Sequence, residues 1–290
     1  ESLFVFNRFV QPGCDAEPKI LEFGNMYDEI AKINDVVSVI NFIGPTGGGK
    51  SKLIDLLGTT GNRPQVAPLS SLVATTTHVR AYFGQRNIVS PTGHLNVLDA
   101  DVNNTFQSIY LDSRGCGSRS LDRKGSLDKS DFDNLLTSKI YPGMLYSTAN
   151  IICFPTLDDI TTVGRYVNDL LRLTRESPLS SSSKPELILI FNKLPFAQID
   201  HDSDFHTFQE NTRSWRQHYP NEYNSLMEGF SRIWIVSFPN YHDHAISAAH
   251  CWKKLSALIQ YLSSLPHCQQ SSSTFLSTVK SIVDKFSSQH

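Results

Sequence analysis

The 290-residue chain carries 26 Lys and Arg against 28 Asp and Glu, a formal charge of -2, with 40% apolar and 10% aromatic residues. That composition supplies a sizeable core for one large domain or two small ones. The near-neutral balance, with a sequence pI of about 6.6, provides no global field for nucleic acid or an anionic membrane.

The five cysteines, Cys14, Cys116, Cys153, Cys251 and Cys268, are scattered, odd in number and without metal-type spacing. They point to a reducing, cytoplasmic setting rather than a disulfide framework. No apolar run approaches the roughly 18 residues that a membrane-spanning helix needs. The chain begins with Glu1 and has no charged n-region before an apolar stretch, so it is expected to be a piece of a longer protein, with targeting signals or membrane contacts in regions outside it.

In chain order, the β-branched run "DVVSVINFI" from Asp35 to Ile43 predicts a strand. It is followed at once by "GPTGGGKS" and by the helical pattern "KLIDLL" ending at Gly58. Residues 59–74 are rich in turn formers and read as a long surface loop leading to "TTTHVRAYF". The runs "LNVLDA" and "SIYLD", separated by "DVNN", predict a hairpin with one strand antiparallel to its neighbours.

A polar loop with Arg114, Arg119 and Arg123 leads to a helical stretch from about Lys129 to Tyr146 and then the strand "ANIICF". Leu157, Ile160, Val163, Val167, Leu170 and Leu171 mark one face of a helix that ends near a Ser-rich loop. Then come the strand "LILIF", the strand "IWIVSF", and a helix with an apolar face of Ile246, Ala249, Trp252, Leu255, Ile259 and Leu262. Strands that are apolar throughout and alternate with helices predict an α/β fold: a mainly parallel sheet with one antiparallel strand and helices on both faces. No internal repeat or domain boundary stands out, so a single large domain is expected over 1–290, with 266–290 as a packing helix.

The segment Gly44-Pro45-Thr46-Gly47-Gly48-Gly49-Lys50-Ser51 matches the phosphate-loop pattern of Gly, four residues, then Gly-Lys-Ser, in strand-to-helix context. Its glycines let backbone N–H groups converge on phosphates, the helix N-terminus adds its dipole, Lys50 neutralises the β and γ phosphates, and Ser51 ligates Mg²⁺. Lys52 completes the set at the helix start. A triphosphatase also needs an acidic residue at the end of a neighbouring strand. In "IYLDSRG" Asp112 supplies it, and Gly115 sits three places on, where its N–H can sense a γ-phosphate. Asp99 and Asp101 compete for the role without a glycine at that offset. One of Thr75, Thr76 and Thr77 offers Mg²⁺ a hydroxyl, with Thr77 favoured.

With these motifs in order, the chain resembles the G domain of GTPases, and more narrowly the dynamin-superfamily G domains of the guanylate-binding protein and atlastin type. The supporting residues are "FIGPTGGGKSKLIDLLG", the threonine loop, "IYLDSRGCGS", the block from Leu145 to Ser177, and "WIVSFPNYH", which places Phe238 beside the base. The likeness covers most of Asp35 to Leu265. It implies GTP binding, Mg²⁺-dependent hydrolysis to GDP, and a nucleotide-dependent homodimer.

Three departures accompany the resemblance. Guanylate-binding proteins and atlastins carry an arginine three residues before the phosphate-loop lysine, where this chain has Gly47. Arg114, Arg119 and Arg80 are the candidate substitutes. Cys116 follows Gly115 where small GTPases carry a water-positioning Gln. In the base loop, Asn192 and Lys193 are present, but Pro195 stands where the guanine-reading Asp belongs, and Asp200 is the next acidic residue. Two other readings therefore stay open: a nucleotide-gated scaffold with little hydrolysis, and an ATPase on the same loop. The clusters His201, Asp202, Asp204, His206 and His242, Asp243, His244 lack a supporting Cys and read as solvated loops rather than zinc sites.

Overall fold

The computed structural model describes residues 2–6, 21–33, 36–66, 79–84, 88–89, 95–96, 107–113, 115, 149–154, 184–194, 205–239, 245–263 and 270–287. In chain order the strands are β1 (Ser2–Phe6), β2 (Leu21–Phe23), β3 (Val36–Ile43), β4 (Thr59–Thr60), β5 (Val79–Gly84), β6 (Ile88–Val89), β7 (Leu95–Asn96), β8 (Gln107–Asp112), β9 (Ala149–Phe154), β10 (Glu186–Leu194), β11 (Arg232–Pro239) and β12 (Gln270–Ser271). The helices are α1 (Asn25–Ala31), α2 (Lys50–Leu57), α3 (Phe205–His218), α4 (Pro220–Met227), α5 (Ala245–Ser263) and α6 (Ser272–Ser287).

The principal sheet runs β11-β10-β9-β3-β8-β5-β1-β2. From β11 to β8 every pair is parallel. β5 is antiparallel to β8, and β1 and β2 extend that antiparallel edge beyond it. This is the α/β fold of P-loop NTPases, with a wider antiparallel margin than the single strand expected. The short strands β4 and β12 add to β5 and β3, so the first residues of the expected 59–74 loop are a strand.

The expected hairpin is corrected. Both edges of β8 are taken, by β3 and β5, whereas Leu95–Asn96 pairs with Ile88–Val89 in a separate ribbon. A strand has only two hydrogen-bonding edges, and strand-like composition does not say which partner fills them.

Side-chain alternation along β3 explains why it is apolar almost throughout. Val37, Val39 and Ile43 face a core built with Met26 of α1, Trp215 of α3, Leu226 of α4 and Phe275 of α6. Ile40 and Phe42 face the opposite core, built with Leu53, Ile54 and Leu57 of α2 and Leu255, Leu258 and Ile259 of α5. Both sheet faces are therefore covered by helices, as parallel strands require.

Helix α2 has only eight residues, too few for stability alone. Burial of its three apolar side chains, at about 1.5–3 kcal/mol each, holds its N-terminus at the head of β3. At the other end of the molecule, the Ser272 hydroxyl donates to the Ile33 carbonyl, joining α6 to the end of α1. In the buried space between α5 and β10–β11, the Tyr261 hydroxyl donates to Glu186 and accepts from Trp234 Nε1 at 2.6 Å, so these polar atoms pair with one another. Among the described residues, no helix is long and apolar enough to cross a membrane.

Candidate functional site

The order of strands places β3 between β8 and β9, with β10 and β11 beyond β9. Chain connections thus leave β3 toward both sides, and ligands of open α/β sheets bind where that reversal occurs, at the carboxyl ends of the strands. Gly44 to Gly49 lie at that point. Register brings three other strand ends beside them: Phe42 is level with Asp112, Ile43 with Ile152 next to Cys153, and Phe191 with Phe154.

The loop wraps over the end of β9, where the Cys153 carbonyl lies against both Gly44 and Gly48. Gly49 caps α2 at φ +89°, a left-handed conformation that favours glycine. A Cβ there would also collide with the Asn192 side-chain amide. That amide donates to the Gly48 carbonyl at 3.2 Å, tying the end of β10 to the loop.

Lys50 is buried at 6% exposure. Its ammonium donates to the carbonyls of Gly44 at 3.2 Å and Pro45 at 2.9 Å, so the charge is folded inside the curve of the loop. The Ser51 hydroxyl donates to Asp112 Oδ2 at 2.7 Å, and the Ser113 N–H to the Phe42 carbonyl at 3.2 Å. Thr46 Oγ1 donates to the Gly115 carbonyl at 3.0 Å.

Ser51 and Asp112 offer hard oxygen donors in contact at a helix N-terminus. They fit Mg²⁺, which takes few protein ligands and completes its shell with phosphate oxygens and water. Among the described residues, no cluster of three or more His, Cys, Asp or Glu forms a metal site.

Beneath the loop, burial pushes the Cys153 thiol up to about 12. Asp112 adds to the rise and Lys50 opposes it. Cys153 is therefore a neutral thiol in the floor of the cradle at ordinary pH.

Arg80 stands directly across from Asp112 in the β5–β8 pair, and residues so placed share a sheet face. Arg80 Nη1 donates to Gln65 Oε1 at 3.4 Å. Tyr82 lies two residues along on the same face; its hydroxyl pKa is raised by burial, and the nearby positive charge of Arg80 acts the other way.

Gly44, Thr46, Gly47, Gly48, Gly49, Lys50, Ser51, Asp112, Gly115 and Asn192 are thus gathered at one end of the sheet. Lys52 turns outward, its ammonium 3.1 Å from Asp55 on the helix surface. Phe238 is buried in the core shared with α2 and α5. Asn192 and Lys193 belong to the last, irregular residues of β10 rather than to a loop after it. Thr75, Thr76, Thr77, Arg114, Cys116, Arg119, Pro195 and Asp200 lie outside the described residues, as do His201, Asp202, Asp204, the segment 240–244 and the expected helices over 129–146 and 157–171.

Two contributors escape sequence reasoning. Cys153 acts through its backbone carbonyl, for which a strand sequence carries no signal. Lys254 of α5 is fully buried and donates to the carbonyl and hydroxyl of Ser237, at 2.9 and 3.1 Å. Ser237 is level with Phe191, one residue before Asn192, so Lys254 braces the end of β11 on the side of the expected base loop. A lysine in an otherwise apolar stripe is normally read as solvated.

No protein-family model matches the sequence, and no curated protein is significantly similar to it. Two crystal structures of SsGBP variants are similar to the chain at TM-scores of 0.35 and 0.34, with 14% and 13% identity, over 79% and 77% of this chain and 58% and 57% of theirs. The structure of the Arl6 BBS3 small GTPase from Trypanosoma brucei with bound nucleotide analogue GppNp is similar at a TM-score of 0.36 and 9% identity, over 77% of this chain and 99% of that one. The chain therefore spans less than three-fifths of the length of the SsGBP variants.

Proposed function

We propose that the chain is a single G domain of the dynamin-superfamily, guanylate-binding protein and atlastin type, which binds GTP with Mg²⁺ and hydrolyses it to GDP. The observation that carries this reading is the contact of Ser51 with Asp112 at 2.7 Å beside the buried Lys50. It brings the phosphate loop and the acidic strand end together as a nucleoside triphosphatase needs.

In this reading Lys50 and the amides of Gly47, Gly48 and Gly49 hold the phosphates. Ser51, Asp112 and Thr77 would hold Mg²⁺, which when bound supplies charge neutralisation at the β and γ oxygens. The Gly115 N–H contacts the γ-phosphate, and backbone groups there and in the threonine loop hold the attacking water. Arg114 is the proposed charge-stabilising residue, and Arg119 and Arg80, the latter across the sheet pair from Asp112, are the alternatives. Asn192 supports the loop from the base side, where Lys193 and Phe238 complete the expected set.

The homodimer, the cytoplasmic setting and membrane contacts through other parts of a longer protein belong to the same proposal. Gly47 at the position of the family's arginine supports a second reading, a scaffold gated by nucleotide with little turnover. Calorimetry with GTP, GDP and ATP, followed by phosphate release at rising protein concentration, tests both. GTP preference with concentration-dependent turnover supports the GTPase, GTP binding without turnover supports the scaffold, and ATP preference overturns both.

A further inference from the structure

We infer that Thr46 is a positioning residue that seats Gly115 on the phosphate loop before any nucleotide arrives, and so sets how strongly the site favours a nucleoside triphosphate over a diphosphate. The inference rests on the proposed nucleotide-binding role.

Thr46 is the third residue of the loop, at a position where the pattern asks nothing of the side chain. Yet its hydroxyl donates to the carbonyl of Gly115 at 3.0 Å, joining residues 69 apart in sequence. The backbones are also pressed together. A Cβ on Gly115 would lie 2.6 Å from the N, Cα and Oγ1 atoms of Thr46, closer than real Cβ atoms come. Gly115 is buried although it belongs to no helix or strand.

The bond and the close approach together make Gly115 part of the loop's inner wall. Three residues at this strand end are then held: Asp112 by Ser51, the Ser113 N–H by the Phe42 carbonyl, and Gly115 by Thr46. With the Ser113 N–H anchored before it and the Gly115 carbonyl anchored after it, the Gly115 N–H is held between two fixed points. A donor placed in advance costs no ordering when the ligand binds. A γ-phosphate profits from that placement, while a diphosphate has no oxygen to offer it. Loss of the Thr46 hydroxyl therefore falls selectively on the triphosphate, by roughly three- to ten-fold for one hydrogen bond.

The test compares the wild type, Thr46→Val, which keeps the shape and removes the donor, and Thr46→Ser, which restores it. Calorimetry with GDP and with a non-hydrolysable GTP analogue in Mg²⁺ gives the affinity ratio. Amide hydrogen exchange over 107–115 in nucleotide-free protein reads the seat itself. The expected result is a roughly five-fold fall in the analogue-to-GDP ratio for Thr46→Val, faster exchange at Gly115, and recovery of both in Thr46→Ser. An unchanged ratio, equal loss of both ligands, or unchanged exchange at Gly115 overturns the inference while nucleotide binding by the wild type stands. A wild type that binds neither nucleotide overturns the proposed function itself.

Discussion

The Asn192 side-chain amide donates to the Gly48 carbonyl at 3.2 Å, joining positions 144 apart in sequence. It also fills the space that a side chain on Gly49 would need. The end of β10 thereby supports the phosphate loop through a contact that involves no bound base. Asn192→Ala is expected to remove about 1 kcal/mol of stability, lowering the melting temperature by about 2 °C. It should weaken GTP and ATP by equal factors. A selective loss of GTP would instead give Asn192 a direct role at the base.

Asp112→Asn keeps the shape of the side chain and removes its charge at the proposed Mg²⁺ site. Nucleotide affinity in Mg²⁺ should fall by about 10- to 100-fold, with little difference from the wild type in EDTA. Titrations with and without the metal check this, and an unchanged Mg²⁺ dependence would place the metal ligand at Asp99 or Asp101.

Burial holds the Cys153 thiol at about 12 against an ordinary value of 9.0, and the Tyr110 hydroxyl at about 12 against 10.0. Both groups are acids whose folded pKa is raised. Their neutral forms favour the native state, and in that raised interval the unfolded chain binds fewer protons than the native one. The contribution is complete below pH 9 and is lost as pH rises through 9 to about 12. Urea midpoints should therefore fall progressively above pH 9. A flat profile to pH 11 would show that these groups ionise freely in the folded protein.

Phe275 of α6 is 5% exposed, in the same core as Met26 and Ile30 of α1. Phe275→Ala is expected to cost about 3–5 kcal/mol, read from denaturant unfolding, within a single cooperative transition if 1–290 is one domain. Two separate transitions, with only one shifted, would mean that the C-terminal helix folds apart from the nucleotide site.

The parts of the molecule legible in sequence are those whose physics is local. A β-branched run before contiguous glycines, Lys50 and an apolar helix face specifies strand, loop and helix within residues 36–57. Asp112 is legible because an acidic residue after an apolar strand, with glycine three places on, is itself a short pattern. Helices α3 and α4 pass unread because they are largely polar; among the described side chains Thr212, Trp215 and Leu226 are buried. The edge strands β1 and β2 are short, and β1 joins the sheet through β5 while β2 joins it only through β1, partners that their own composition does not name. The bond from Thr46 to Gly115 and the brace from Lys254 to Ser237 join distant segments, and such contacts leave no periodic trace.

Lys50 offers the most direct test of nucleotide binding at the loop. Its ammonium lies inside the curve formed by Gly44 and Pro45, so Lys50→Ala removes the only side-chain charge that the phosphate-loop pattern itself requires. Calorimetry in Mg²⁺ should show GTP bound by the wild type and weakened by at least about 100-fold in Lys50→Ala, with the variant still folded by circular dichroism. GTP bound equally well by a folded Lys50→Ala protein would contradict phosphate binding at this loop.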